Sequence, residues 1–323
     1  MARRAGVSRQ TVSNVLNAPA RVAEETAARV RDAIEALGYR PNRTARNLRT
    51  RTSRLIGYRI ERSSPDGGNA VLDGFLHALS AAARAYSFHV LLFTPDDEAD
   101  ELATYDELLR TATVDAFVLS GTHREDDRPG WLASRGVPFA CFGRPWGATG
   151  RFAWVDVDGA AGTDAAVEHL VSRGHRRIGF LGWPTGSGAG DDRAAGWRRA
   201  VRRHGLPAAG LLRRCTNDVT SAARATTALL AAAEPVTALV CASDTLAFGA
   251  RVAAGDRRLA IVGFDDSPTA AVLNPPLSSV RQPLDLVGRE VVRLLHLQIT
   301  GADPAPGPVL LAPELVVRDL VDP

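Results

Sequence analysis

From residue 54 onward, short apolar runs alternate with longer amphipathic segments, and no other feature narrows the fold as far. LIGYRI (55–60), HVLLF (89–93), DAFVLSG (115–121), VPFACFG (137–143), RRIGFLGW (176–183), ALVCAS (238–243) and LAIVGFD (259–265) read as buried strands. GGNAVLDGFLHALSAAARAYS (67–87), ELATYDELLRTA (101–112), AAGTDAAVEHLVSRG (160–174), DDRAAGWRRAVRRHG (191–205), ARATTALLAAA (223–233) and TLAFGARVA (245–253) read as helices. Strands and helices in alternation imply parallel sheets covered by helices. The stretch 55–323 is longer than a single sheet usually organises. The expected core is therefore α/β, with two doubly wound parallel-sheet subdomains.

Residues 1–54 differ in both pattern and charge. They hold 12 arginines against Glu24, Glu25, Asp32 and Glu35, an excess of eight positive charges within a chain whose net charge is only +3. AGVSRQTVSNVLN (5–17) places Val7, Val12, Val15 and Leu16 on one helical face. Gly6 makes a turn before it, and Ser8 can cap it through its hydroxyl. A further helix from Glu24 to Leu37 carries Val30, Ile34 and Leu37 on one stripe and stops at Gly38. Helix end, glycine turn, second helix is the helix-turn-helix order. Arg9, Gln10, Ser13 and Asn14 fall on the polar face of the second helix. Such side chains read base edges in a major groove, and a plain solvated helix face would look the same. The charge excess favours DNA, because neutralising phosphates supplies most non-specific affinity. Residues 41–54 follow Pro41 with Arg43, Arg46, Arg49, Arg51 and Arg54. Two helical turns of this kind are too short to stand alone in water and suit a hinge that folds on DNA.

Composition removes several chemistries. All 39 basic residues are arginine, so a phosphate-loop lysine, a Schiff-base lysine and an S-x-x-K nucleophile are excluded. Cys141, Cys215 and Cys241 are far apart, and the seven histidines show no metal-ligand spacing. No metal, no cofactor and buried free thiols are expected. No signal peptide and no apolar run of membrane-spanning length occur, so the expected setting is cytoplasmic, without a membrane. The loop GWPTGSGAG (182–190) is spaced G-x-G-x-G and lacks the acidic residue that a ribose would need. An enzyme is not expected.

Taken together, AGVSRQTVSNVLN (5–17) and RVAEETAARVRDAIEALGYRPNRTARNLRT (21–50) resemble the headpiece and hinge of LacI/GalR-family repressors. The resemblance implies that Arg9, Gln10 and Asn14 read bases. It implies that Ser8, Thr11, Ser13, Asn17, Arg21 and Thr26 hold phosphates. Within the hinge it brings Asn42 and Arg43 to DNA and places Ala45 and Leu48 in the minor groove, the leucine as an apolar wedge. Ala23 stands where the family usually has a serine cap, at a cost of about 1 kcal/mol. The family's first helix begins upstream of the position of Met1, so Met1 is expected to be an internal valine of a longer chain. The segments VDVDGAAG (155–162), HRRIGFLG (175–182), ALVCASDTLAFGA (238–250), IVGFDDSP (261–268), PPLSSVRQPLDLVGREVV (275–292) and PELVVRD (313–319) resemble the family's core. That core is related to periplasmic sugar-binding proteins.

The resemblance implies a headpiece at 1–40, a hinge at 41–54 and a sensing core at 55–323. The first subdomain is expected at 55–153 plus 282–306 and the second at 154–281 plus 307–323, with crossings near Ala153, Gln282 and Gly307. Ligands of open α/β sheets bind beyond the carboxyl ends of strands, where Arg193, Ser243, Asp244, Asp265 and Asp266 fall. By residue type alone, Asp265 could be a loop carboxylate and Arg193 a surface ion-pair partner. The resemblance implies that Arg193 and Asp265 contact a small effector, such as a sugar, with Ser243 beside them and Asp244 bracing the loop. Gly67, Gly68, Gly143 and Val219 depart from the family's pocket pattern, so Trp146 and Trp183 are the candidate aromatic platforms. The implied protein is a homodimeric repressor on a pseudo-palindromic operator in double-stranded DNA. The alternative is a sugar-binding sensor module that no longer binds DNA because its first helix is incomplete.

Overall fold

The computed structural model describes residues 1–17, 21–38, 52–61, 70–148 and 150–318. The chain divides into two compact units, Met1–Ser53 and Arg54–Pro323.

The first unit contains α1 (Ala2–Ala5), α2 (Arg9–Asn17) and α3 (Glu24–Ala36). Gly6 ends α1 with a φ of 64°, a left-handed conformation that costs glycine little, and so turns the chain into α2. Ser8 caps α2: its Oγ accepts from the Thr11 N–H at 3.0 Å and shares a hydrogen bond with Thr11 Oγ1 at 2.9 Å. Ala5, Val15, Ala27, Val30 and Ala33 form a small core, with Val7, Val12 and Ile34 packed against it. Leu37 departs from the expected stripe. It is 47% exposed because α3 ends at Ala36 and Leu37 lies just past its last turn. No side chain caps α3 at Ala23. The hinge residues Asn42, Arg43, Ala45 and Leu48 lie outside the described residues, as do Gly67 and Gly68.

The second unit contains two six-stranded sheets. The chain first lays down β1 (Leu55–Arg59), α4 (Ala70–Ala85), β2 (His89–Phe93), α5 (Glu98–Arg110), β3 (Ala116–Leu119), α6 (Arg128–Ser134), β4 (Phe139–Phe142) and β5 (Trp154–Val157). It then builds α7 (Gly159–Ser172), β6 (Ile178–Gly182), α8 (Ala189–Arg203), β7 (Leu212–Arg214), α9 (Val219–Leu230), β8 (Ala238–Cys241), α10 (Asp244–Ala254), β9 (Ala260–Asp265), α11 (Pro268–Val272) and β10 (Ser278–Arg281). The long helix α12 (Leu284–Thr300), β11 (Val309–Leu311) and β12 (Glu314–Val316) complete the described part. The first sheet has the order β11-β5-β4-β3-β1-β2 and the second β12-β10-β9-β8-β6-β7.

All pairings are parallel except that of β12 with β10, where Ser279 faces Val316. The exception follows from connectivity. Two residues separate β11 from β12, so β12 enters the second sheet from the cleft side and runs against its neighbours. The chain passes between the subdomains after Val157, at Gln282–Pro283 and between Leu311 and Glu314. The first and third crossings thus fall a few residues beyond Ala153 and Gly307, because β5 and β11 both pair within the first sheet.

Side-chain alternation along the strands feeds two cores in the first subdomain. Ile56, Tyr58, Val118, Ala140 and Val155 pack beneath α4 and α12. Phe117, Leu119, Phe139 and Cys141 point the other way, toward Tyr105 and Leu132. The second subdomain has one large core containing Phe180, Trp197, Val240 and Phe264. Among the described residues, no helix is long and apolar enough to cross a membrane.

Candidate functional site

Strand ends of both sheets converge on an open cavity of about 360 Å³. The first subdomain contributes Thr122 beyond β3, Trp146 beyond β4 and Asp156 on β5. The second contributes Trp183 beyond β6, Arg193 on α8 and Asp265 at the end of β9. Gln282, at the middle crossing, also lines it. This is the crevice in which an open parallel sheet offers polar groups to a ligand.

Arg193 and Asp265 stand at its centre. The Arg193 guanidinium lies 3.6 Å from Asp265 Oδ1, donates to the Ala242 carbonyl and stacks 3.7 Å over the Phe264 ring. Trp183 lies 5.0 Å away on the same guanidinium. Asp265 also accepts from Gln282 Nε2 at 2.8 Å. Burial pushes the Asp265 carboxyl up to about 7, against the opposing pull of Arg193. Burial likewise lowers the Arg193 guanidinium. Arg193 Nε and Trp183 Nε1 have no hydrogen-bond partner among the described residues, although both atoms are buried. An unmet buried donor is costly, and both of these belong to residues that line the cavity.

The backbone is strained at the same place. Asp265 has a φ of 113° and Asp266 a φ of 50°. A non-glycine residue so placed costs on the order of 1–3 kcal/mol and persists only where its surroundings fix it. Here Arg281 Nε and Arg318 grip Asp266 at 2.7 Å and 2.6 Å, while Ser279 Oγ accepts from its N–H at 3.0 Å.

Trp146 and Trp183 both line the cavity, as their candidacy as platforms requires. Ser243 sits behind the wall. It caps α10 and donates to Asn217 Oδ1 at 2.6 Å, and Asn217 is the residue that reaches the cavity. Val219 lies in a separate surface groove. Asp244 braces the loop after β9, accepting from Ser279 Oγ at 2.6 Å and from the Ser267 N–H at 2.7 Å. Asn217 and Thr122 were missed in the sequence, where each is an ordinary polar residue with no motif around it; Asp156 and Gln282 lie in the segments 155–162 and 275–292 that resemble the family's core, but neither was singled out for the cavity.

One cavity edge, 121–123, is stapled from behind. Arg128 is fully buried and holds Asp126 through two bonds of 2.8 Å, Glu101 at 3.3 Å and the Ser120 carbonyl at 3.2 Å. Glu98, His123 and Asp126 bring ligand-type atoms within 4.8 Å of one another. Arg128 already supplies the cation there, 3.7 Å from Glu98 and bonded to Asp126.

In the first unit, Ser8, Arg9 and Gln10 are exposed, while Thr11, Ser13 and Asn14 are half-buried. Gln10 Nε2 donates to Asn14 Oδ1 at 3.1 Å, so the two share one face of α2. Asn17 closes α2, and its side chain lies outside what is described. Arg21 is exposed and Thr26 half-buried, beside the start of α3.

Comparison with known proteins gives one answer over both units. Residues 1–42 match the family described as bacterial regulatory proteins, lacI family. Residues 167–319 match the periplasmic binding protein-like domain. The chain is 35% identical to the HTH-type transcriptional regulator CelR of Thermobifida fusca, over 98% of this chain and 95% of that one. A transcriptional regulator CelR–cellobiose complex superposes with a TM-score of 0.75 at 31% identity, covering 98% of this chain and 97% of that one. The lac repressor dimer bound to operator and the anti-inducer ONPF superposes with a TM-score of 0.82 at 26% identity, covering 98% and 96%.

Proposed function

The chain belongs to the LacI family of bacterial regulatory proteins, and from that premise we propose that it is a homodimeric repressor relieved or engaged by a neutral saccharide. The Arg193–Asp265 pair, beside the unmet donors of Arg193 and Trp183, carries the ligand half of this reading. A guanidinium that donates and a carboxylate that accepts suit vicinal hydroxyls, and indole rings suit the apolar face of a sugar. Asn217 and Gln282 add amide groups at the same cavity. The CelR–cellobiose complex supports a glucoside as the first ligand to test.

The DNA half rests on α2. Arg9, Gln10 and Asn14 would read base edges in the major groove, while Ser8, Thr11, Ser13, Asn17, Arg21 and Thr26 hold phosphates. Two such heads related by a two-fold axis would read a pseudo-palindrome. The hinge, with Asn42, Arg43, Ala45 and Leu48, would fold in the central minor groove, and ligand in the cleft would alter its spacing. A regulator acting in this way would work in the cytoplasm and need no catalytic step.

The test is direct. The full chain is screened by thermal shift against neutral mono- and disaccharides, cellobiose included, and the hit is then titrated into an operator-binding assay. A ligand at 100 times its Kd should add about 2.7 kcal/mol of stability and change operator affinity. A ligand that stabilises the core and leaves operator affinity unchanged would contradict the reading.

A further inference from the structure

We propose that Arg144 is a positioning residue that sets the angle between the two subdomains, by tying the strand before the first crossing to the helices after it. Arg144 follows β4 in the first subdomain. Its Nε donates to Asp156 Oδ2 on β5 at 2.7 Å. Its Nη2 donates at 2.9 Å to Asp192 Oδ2, in the first turn of α8 in the second subdomain. The same Asp192 oxygen accepts from the Ala160 N–H at 3.0 Å, at the start of α7. One side chain therefore spans the crossing at Asp158 and meets a carboxylate on each side. The planar fork of arginine allows this, whereas a lysine ammonium faces one carboxylate well at a time.

Two further contacts seat the same loop on the second subdomain. The Arg144 guanidinium lies 4.3 Å over the Trp146 ring. Trp146 packs on Gly188, where a Cβ would come within 2.3 Å of the indole, so nothing larger than glycine fits. Arg144 and Asp192 are 24% and 17% exposed, which shields the pair from salt more than a surface pair. A second cross-cleft pair, Arg124 with Asp191, is looser at 4.0 Å, and Asp191 is already held by Arg214 at 2.8 Å. Asp192 directly precedes Arg193, so a shift of this node moves the cleft's central arginine. The proposal does not depend on which ligand the cleft takes.

Hydrogen exchange read by mass spectrometry on the full chain, without ligand, tests it. Arg144→Gln should speed amide exchange at 143–148 and 183–193 by about five-fold or more, with β1, β3, β6 and β8 unchanged. Asp192→Asn should do the same while keeping an acceptor for Ala160. The double variant should exceed neither single variant, and Arg144→Lys should restore part of the protection. Wild-type exchange at both segments in both single variants would overturn the proposal. So would additive effects in the double variant, or a uniform rise through both sheets, which would make Arg144 a support of the fold alone.

Discussion

A largely buried carboxylate, Asp265, stands opposite a buried guanidinium, Arg193, at the centre of the cleft. Burial disfavours the charge of Asp265 and pushes its carboxyl from the ordinary 3.8 up to about 7. Between those values the native state holds a proton that the unfolded chain has released, so Asp265 makes stability fall as pH rises through that window. Asp265→Asn should remove this slope. Urea unfolding of both proteins at several pH values checks it: the wild type should lose ground to the variant from about pH 4 to about 7. A pH-independent difference would contradict the burial account. Arg193→Ala should abolish the saccharide response and spare operator affinity, measured by anisotropy on labelled operator. Position and residue type left Arg193 and Asp265 open to an ion-pair or loop role, and the resemblance to the family singled them out; the fold brings both to one cavity. Asn217 was not legible: only the fold shows that Ser243 holds it and that it, rather than Ser243, reaches the cavity.

At the scale of elements, the apolar strands announced themselves and the polar or very short ones did not. IGFLG is a fully buried apolar run, and β1 buries its middle, Ile56 to Tyr58, as the sequence led one to expect. β7 is LRR at a sheet edge, with neither alternation nor an apolar run. β10 is SSVR, yet both serines are fully buried because Asp244 and the Arg318 backbone use their hydroxyls. α12 carries Val287, Val291, Leu294 and Leu295 on a helical stripe, but it follows the last strand–helix alternation and was not read as an element. The loop leading into α6 depends on a residue no pattern would bury. Arg128→Ala would take from Asp126 its buried cation and leave Glu101 with Arg59 alone. The expected cost is about 3–5 kcal/mol in urea unfolding, with the edge at 121–123 loosened. A loss under about 1 kcal/mol would show the network to be dispensable.

For the whole molecule, the uneven charge and the two sheets describe two tasks in one chain. The basic first 54 residues should give operator binding a steep salt dependence, while saccharide binding in the core should be nearly independent of salt. Leu48→Gly should weaken operator binding strongly and leave saccharide affinity nearly intact, and equal loss of both would indicate misfolding. The central claim is that cleft and head share one equilibrium. Linkage makes that claim reciprocal: whatever factor the saccharide imposes on operator affinity, the operator must impose on saccharide affinity. The decisive measurement is saccharide Kd by calorimetry, on the full chain alone and again with saturating operator duplex at the same ionic strength. The account predicts a change of roughly 5–150-fold, matching the saccharide's effect on operator Kd. An identical Kd in both titrations, with DNA bound throughout, would contradict it.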